Sequence, residues 1–156
     1  MKKVFRIADR RFPVFEGTGA RLVGGRWNSP GRAVIYAAET FSTALLEVLV
    51  HSNLGRVPKT HVVIEITIPD AVQIEWLRGR DLPGWDTSDQ VVSRNFGDRW
   101  LEERRSAVLL VPSRVTAGHE NSVLINPKHR QFARIAASKP KDVQWDERLF
   151  MRGGNE

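Results

Sequence analysis

The chain has no cysteine among its 156 residues, which excludes disulfides and thiolate metal sites and fits a reducing compartment. It also has no apolar run approaching the roughly 18 to 20 residues needed to cross a bilayer. The basic opening, MKKVFRIADRRF, is interrupted by Asp9, Arg10 and Arg11 before a signal-peptide core can form. A cytoplasmic protein is therefore expected, with no membrane contact. Neither a G-x-x-x-x-G-K-[ST] nor a G-x-G-x-x-G pattern occurs, so no standard phosphate loop is present. A G-x-S-x-G elbow is missing too, which argues against a serine-hydrolase nucleophile. The four histidines, His51, His61, His119 and His129, have no metal-ligand spacing, and no metal is expected. Internal repeats, linkers and low-complexity segments are absent.

What is present is a globular composition, 41% hydrophobic and 27% charged, long enough for one ordinary core. One domain is expected over residues 1–150, followed by a tail, 151–156, that frays at Gly153 and Gly154. The net charge of +6 invites a nucleic-acid partner. Its cations are dispersed in pairs, however, such as Arg10–Arg11, Arg78 with Arg80, and Lys139 with Lys141. Without a compact basic motif, a non-catalytic nucleic-acid-binding domain is only an alternative. A basic surface equally suits a polyanionic small molecule or an acidic protein.

Alternation predicts a first strand over Val4–Ile7 and a glycine-rich loop from Phe12 to Gly25. Ser29-Pro30-Gly31 is a turn, and AVIYA at Ala33–Ala37 is a buried strand. A helix is predicted over Thr40–Ser52 with Thr40 as its cap. Phe41, Leu45, Val48 and Leu49 make its apolar face, Leu46 and Val50 extend it, and Thr43, Glu47 and His51 form a narrow polar wedge. HVVIEITI at His61–Ile68 is the clearest strand. Trp76 and Trp85 are expected to pack in a turn-rich stretch from Ile74. Further along come a helix from Thr87 or Ser88 to about Arg104, strands at Ala107–Val111 and Val123–Ile125, and a helix over Lys128–Ala137 opened by Asn126 and Pro127. An edge strand is expected at Asp146–Phe150. Strands and helices without βαβ repetition predict an α+β domain with a mixed central sheet and flanking helices.

Most of the chemistry lies within RLVGGRWNSPGRAVIYAAETFSTALLEVLV, Arg21 to Val50. Arg26 follows two glycines that allow close backbone approach, and its fork would grip a diphosphate; a surface arginine beside a turn is the plainer reading. Tyr36 is either a packed tyrosine with one bonded hydroxyl or a ring stacked on a flat base. Glu47, between Leu46 and Val48, is costly to bury unless paired; His51 one turn on is an ordinary partner, and a catalytic carboxylate is the sharper option. Ser122 is placed to hydrogen-bond beside a carboxylate. The five tryptophans are most simply core or rim residues.

In combination, GGRWNSPGRAVIYAAE, ALLEVL and NSVLINPKH resemble the RES domain of bacterial toxin–antitoxin modules, from Val4 to about His129. The family's Arg, Glu and Ser correspond to Arg26, Glu47 and Ser122, and the opening FRI with Arg6 resembles its first strand. Residues Gln73 to Arg105 match least. The resemblance implies a fold related to ADP-ribosyltransferases and a toxin that consumes NAD⁺ by cleaving the nicotinamide–ribose bond. NAD⁺ is then a substrate and no cofactor is expected; water, inorganic phosphate or a protein side chain is the acceptor. It further implies that Glu47 stabilises the transition state, Arg6 and Arg26 hold the diphosphate, Tyr36 stacks on nicotinamide, and Ser122 positions the ribose or Glu47. The implied partner is a helix-turn-helix antitoxin in a hetero-oligomer, with DNA reached only through that antitoxin.

Overall fold

A computed structural model describes residues 1–51 and 56–151. Ser52, the expected end of the second helix, and most of the expected tail lie outside the described residues. The polypeptide forms β1 (Lys2–Asp9), α1 (Thr18–Val23), β2 (Ile35–Ala38), α2 (Phe41–His51), β3 (His61–Ile68), β4 (Ile74–Trp76), α3 (Val91–Glu103), β5 (Val108–Pro112), β6 (Asn121–Ile125), β7 (Ala136–Ala137) and β8 (Lys141–Asp142). All eight strands join one sheet in the order β4-β5-β6-β2-β1-β3-β7, with β8 also on β3. Among the described residues, only β4 and β5 run parallel. This is the expected α+β domain with a mixed sheet.

Strand alternation gives the sheet two buried faces. Val4, Ile35, Ala37, Ile64, Ile66, Val108, Leu110, Val123 and Ile125 form the core on one side. Trp27, Val34, Trp100, Leu101, Leu109, Val111 and Leu124 form the core on the other, beneath α3. Burial on both sides explains why AVLLV reads as a continuous apolar run: every residue of β5 is buried. The branched runs predicted as β2, β3, β5 and β6 are all strands.

Several expectations are corrected. The loop from Phe12 to Gly25 contains the short helix α1, ended by Gly24 at φ +77°. The helix expected over Lys128–Ala137 does not form. There the Asn126 side chain accepts from the Lys128 N–H (3.0 Å), and His129 Nδ1 accepts from the Gln131 N–H (3.1 Å). Such local bonds compete with a helical ladder, and only a 3-10 turn at Phe132–Arg134 remains before the chain pairs with β3 as β7. Asp146–Phe150 is not an edge strand, because β7 and β8 already occupy β3's free edge; Asp146 instead caps a 3-10 turn. Helix α3 starts later than expected: Thr87 donates its hydroxyl to Asp89, whose carboxylate accepts from the Val91 N–H, and Gln90 is left-handed. Trp76 is exposed beneath the Arg78 guanidinium rather than packed, whereas Trp85 stacks against Trp27 at 6.5 Å.

The α2 helix is only partly buried along its expected apolar face, where Leu45, Val48 and Leu49 are half-buried. Thr40 caps it, its Oγ1 accepting from the Thr43 N–H (3.1 Å). The buried residues are Thr43 and Ala44, while Phe41, Leu46 and Val50 of the expected apolar face are exposed. The polar wedge of Thr43 and Glu47 therefore turns toward the domain. Its base is a ring contact between Phe41 and Phe5 of β1 (6.3 Å).

Candidate active site

One face of the sheet gathers four of the candidate residues. In the antiparallel ladder Tyr36 lies opposite Leu124, Ala38 opposite Ser122, and Ser122 opposite Val111. Directly paired residues share a face, and i, i+2 neighbours do too, so Tyr36 and Ser122 project together. Phe5, opposite Ala38, shares that side and supports α2. Thr43 and Glu47, one turn apart, line the inward side of that helix.

Arg26 is held from behind by backbone. Its Nη1 donates to the carbonyls of Trp85 (3.1 Å) and Thr87 (2.9 Å). Among the described residues it forms no ion pair. Burial lowers its pKa from the ordinary value, the positive charge of Arg114 adds to this, and Asp86 and Glu47 oppose it. Arg26 and Glu47 thus share one electrostatic neighbourhood. Glu47 is half-buried, and its carboxylate is 3.6 Å from His51 Nε2. This i,i+4 contact draws the His51 pKa upward, with Glu47 as acceptor. The imidazole is 79% exposed, so the contact is a weak surface pair that leaves the carboxylate accessible. The Ser122 hydroxyl forms no hydrogen bond among the described residues.

Tyr36 has a defined structural role. Its hydroxyl donates to Asn28 Oδ1 (2.6 Å) and accepts the Trp27 N–H (3.1 Å). Burial pushes its pKa upward. Gly25 permits this approach, since a Cβ there would lie 2.6 Å from the Tyr36 oxygen. Asn28, fully buried, returns its amide to the carbonyls of Ala20 and Arg32. The turn carrying Arg26 is thereby tied to β2 through one phenol. Tyr36→Phe should cost about 1–3 kcal/mol by leaving a buried N–H and a buried carbonyl oxygen without their partner. Thermal unfolding would show a lower Tm, by roughly 2–4 °C per kcal/mol; an unchanged Tm would contradict this role.

Arg6 is placed differently. It lies opposite Ile64 on β3, on the sheet face of Val4, and reaches the edge of β2. Its Nε donates to the Val14 carbonyl (2.7 Å) and its Nη1 to the Tyr36 carbonyl (2.8 Å). Burial lowers its pKa. Only Nη2 is left without a hydrogen bond among the described residues.

A second set of contacts carries no signal in the sequence. Helix α3 clamps the backbone on both sides of Arg26. Ser93 Oγ donates to the Arg26 carbonyl (2.7 Å), Arg94 Nε to the Gly25 carbonyl (2.8 Å), and Asp98 accepts from the Ser29 N–H (2.8 Å) and hydroxyl (2.5 Å). These partners are more than 65 residues apart in sequence and mostly bind backbone, so no local pattern announces them. Sequence reasoning also misses Glu120, whose carboxylate meets the start of α2. Two shallow concavities, of about 330 and 140 Å³, open beside Ala33 and Lys128, and none of Arg26, Tyr36, Glu47 or Ser122 lines them. The described residues contain no group of three or more His, Asp or Glu able to hold a metal, and no helix long and apolar enough to cross a membrane.

Residues 3–146 match the family model described as RES domain. The chain belongs to the RES domain family. It is 40% identical over 140 residues to a protein of Sphingobium sp. (strain YBL2) named Prs ADP-ribosylating toxin, covering 87% of this chain and 86% of that one. It is 36% identical over 151 residues to Toxin Res of Yersinia enterocolitica, covering 94% and 98%. A chain in the crystal structure of the M. tuberculosis MbcT-MbcA toxin–antitoxin complex superposes with a TM-score of 0.69, over 91% of this chain and 84% of that one. At 20% identity that likeness speaks for the fold alone. The RES domain of this chain is thus the mixed sheet described above.

Proposed function

We propose that this RES-domain chain is the toxin of a toxin–antitoxin pair and that it consumes NAD⁺ by breaking the nicotinamide–ribose bond. The observation that carries the reading is that Tyr36 and Ser122 project from one sheet face, over which the Phe41–Phe5 contact seats the helix bearing Glu47. A dinucleotide brings two features such a site suits, a diphosphate for a guanidinium and a sugar carbon that turns cationic as its bond breaks.

In the reaction the bond from ribose C1′ to the nicotinamide nitrogen breaks, and its electron pair leaves with neutral nicotinamide. The ribose gains oxocarbenium character, which the Glu47 carboxylate stabilises more strongly than the ground state. An acceptor oxygen then bonds to C1′ and gives up its proton to solvent. Arg26 holds the diphosphate by the part of its fork not engaged with Trp85 and Thr87, while Arg6, from the other sheet face, holds the Tyr36 backbone that frames the site. Tyr36 offers its ring face to nicotinamide while its hydroxyl holds the turn, and Ser122 supplies a hydroxyl to the ribose or to Glu47. Water or phosphate is the acceptor in this reading. The exposed apolar residues Leu46 and Val50, one turn apart on the helix that carries Glu47, belong to the surface we assign to the antitoxin.

A second reading has support of its own, because the 40% identical Sphingobium protein is named as an ADP-ribosylating toxin. There the acceptor is a protein side chain and the same bond breaks. Purified protein free of antitoxin, incubated with NAD⁺ with and without phosphate, is expected to release nicotinamide unaided. Dependence on phosphate identifies a phosphorylase, and independence a hydrolase. Release only with cell extract, leaving label on one protein, would replace this reading with the transferase. No release in any arm would remove NAD⁺ cleavage altogether.

A further inference from the structure

Glu47 can act only if the helix that carries it is held in register over the sheet, and one contact is built to do this. Each oxygen of the Glu120 carboxylate takes one hydroxyl from the start of α2: Oε1 accepts from Thr40 Oγ1 (2.9 Å) and Oε2 from Thr43 Oγ1 (2.8 Å). The Thr40 oxygen also accepts the Thr43 N–H, so the carboxylate is joined to the helix cap itself. Negative charge at a helix N-terminus is favourable, and hydrogen bonds to a carboxylate are stronger than neutral ones.

The other end of the contact is rigid. The Glu120 N–H donates to Thr116 Oγ1 (3.1 Å), and its carbonyl accepts the Ser113 N–H (2.9 Å). The turn between β5 and β6 is closed further by the Gly118 N–H on the Ser113 carbonyl (2.8 Å). Glu120 lies just before β6, two residues ahead of Ser122. Thr43, 1% exposed, stands one helical turn before Glu47 on the same side of α2. The pair therefore links the element carrying Glu47 to the strand carrying Ser122 near both residues.

We infer that Glu120, with Thr40 and Thr43, is a positioning latch that fixes Glu47 against Ser122 and the bound ribose. The inference rests on the proposed role of Glu47. Phe41 on Phe5 and the buried Ala44 hold α2 to the sheet independently, so losing the latch should shift the helix rather than unfold it. Small misplacements of a reacting group cost rate steeply, by up to about 100-fold for 1 Å.

The test compares Thr43→Val, which keeps shape and loses the hydroxyl, with Thr43→Ser and Glu120→Gln. Nicotinamide release by Thr43→Val and by Glu120→Gln is expected to fall roughly 10- to 100-fold in kcat, with KM for NAD⁺ little changed. Thr43→Ser should restore most of the rate. Combining Thr43→Val with Glu120→Gln should cost no more than the worse single change, as residues of one network do not add. Amide hydrogen exchange across residues 43–47 supplies a readout independent of catalysis, and should accelerate in Thr43→Val but not in Thr43→Ser. A normal kcat in both damaged variants, measured well below Tm, would overturn the positioning role; so would unchanged exchange. If wild-type protein releases no nicotinamide, the functional reading fails by itself, and the exchange data still decide whether the latch exists.

Discussion

Glu47→Gln is expected to lower kcat for nicotinamide release by about 100- to 1000-fold, the loss typical when one preorganised charge partner of a transition state is removed. The substitution is nearly isosteric and exchanges a full negative charge for a dipole. KM for NAD⁺ should change little, because a neutral leaving group builds positive charge on the ribose only as the bond stretches. Folding should hardly notice: Glu47 is half-buried and its partner is the well-solvated His51. Steady-state kinetics and a melting curve on the same preparation separate these claims. Wild-type kcat in a folded variant would take Glu47 out of the mechanism. A large rise in KM with kcat intact would make it a binding residue instead.

The second large effect concerns Gly97, in the middle of α3. A Cβ at this position would lie 1.7 Å from the Trp27 carbonyl oxygen, 2.7 Å from its carbon and 3.2 Å from its Cα. All three are backbone atoms, and no rotamer change relieves the clash. Gly97→Ala must push α3 off the strand-turn that carries Arg26. Ser93, Arg94 and Asp98, which hold the carbonyls and N–H of that turn, sit on the same stretch of helix and would lose their bonds together. Overpacking alone costs about 1–3 kcal/mol, and the broken clamp adds to it. A destabilisation of at least about 3 kcal/mol is expected, lowering Tm by roughly 6–12 °C for a chain of this size, and NAD⁺ affinity should fall as Arg26 is displaced. Gly19→Ala is the control, because nothing lies within 4 Å of a Cβ there. It should be neutral or slightly stabilising. Equal Tm values for the two variants would show that α3 does not clamp the turn.

Much of the frame is written in short runs of residues. AVIYA, HVVIEITI and AVLLV form strands because branched residues in short runs have few other ways to be buried. Thr40 caps its helix because a hydroxyl at that place satisfies an otherwise orphaned N–H. Other segments mislead for equally physical reasons. Lys128–Ala137 has a helix-opening Asn-Pro, yet the side chains of Asn126 and His129 satisfy backbone groups locally, Gln131 accepts from the distant Gln73 N–H, and β3 offers an edge to pair with. The α2 periodicity places Leu45, Val48 and Leu49 on a face that is half-buried, but Thr43 of the polar wedge is buried more deeply than any of them. Periodicity reports which residues share a face, and leaves open whether that face meets the domain's own core or another surface.

By itself the sequence determined the α+β class, the RES family and the candidacy of Arg26, Glu47 and Ser122, because these are written in local runs and in the order of short motifs. Only the tertiary structure decided that Tyr36 spends its hydroxyl on the Arg26 turn, that Arg6 approaches from the other sheet face, and that α3 and Glu120 hold the site's two halves. Those are contacts between polar groups distant along the chain, often with backbone atoms that carry no side-chain signature. Their partners are set by strand register and helix placement, which exist only once the whole sheet has formed.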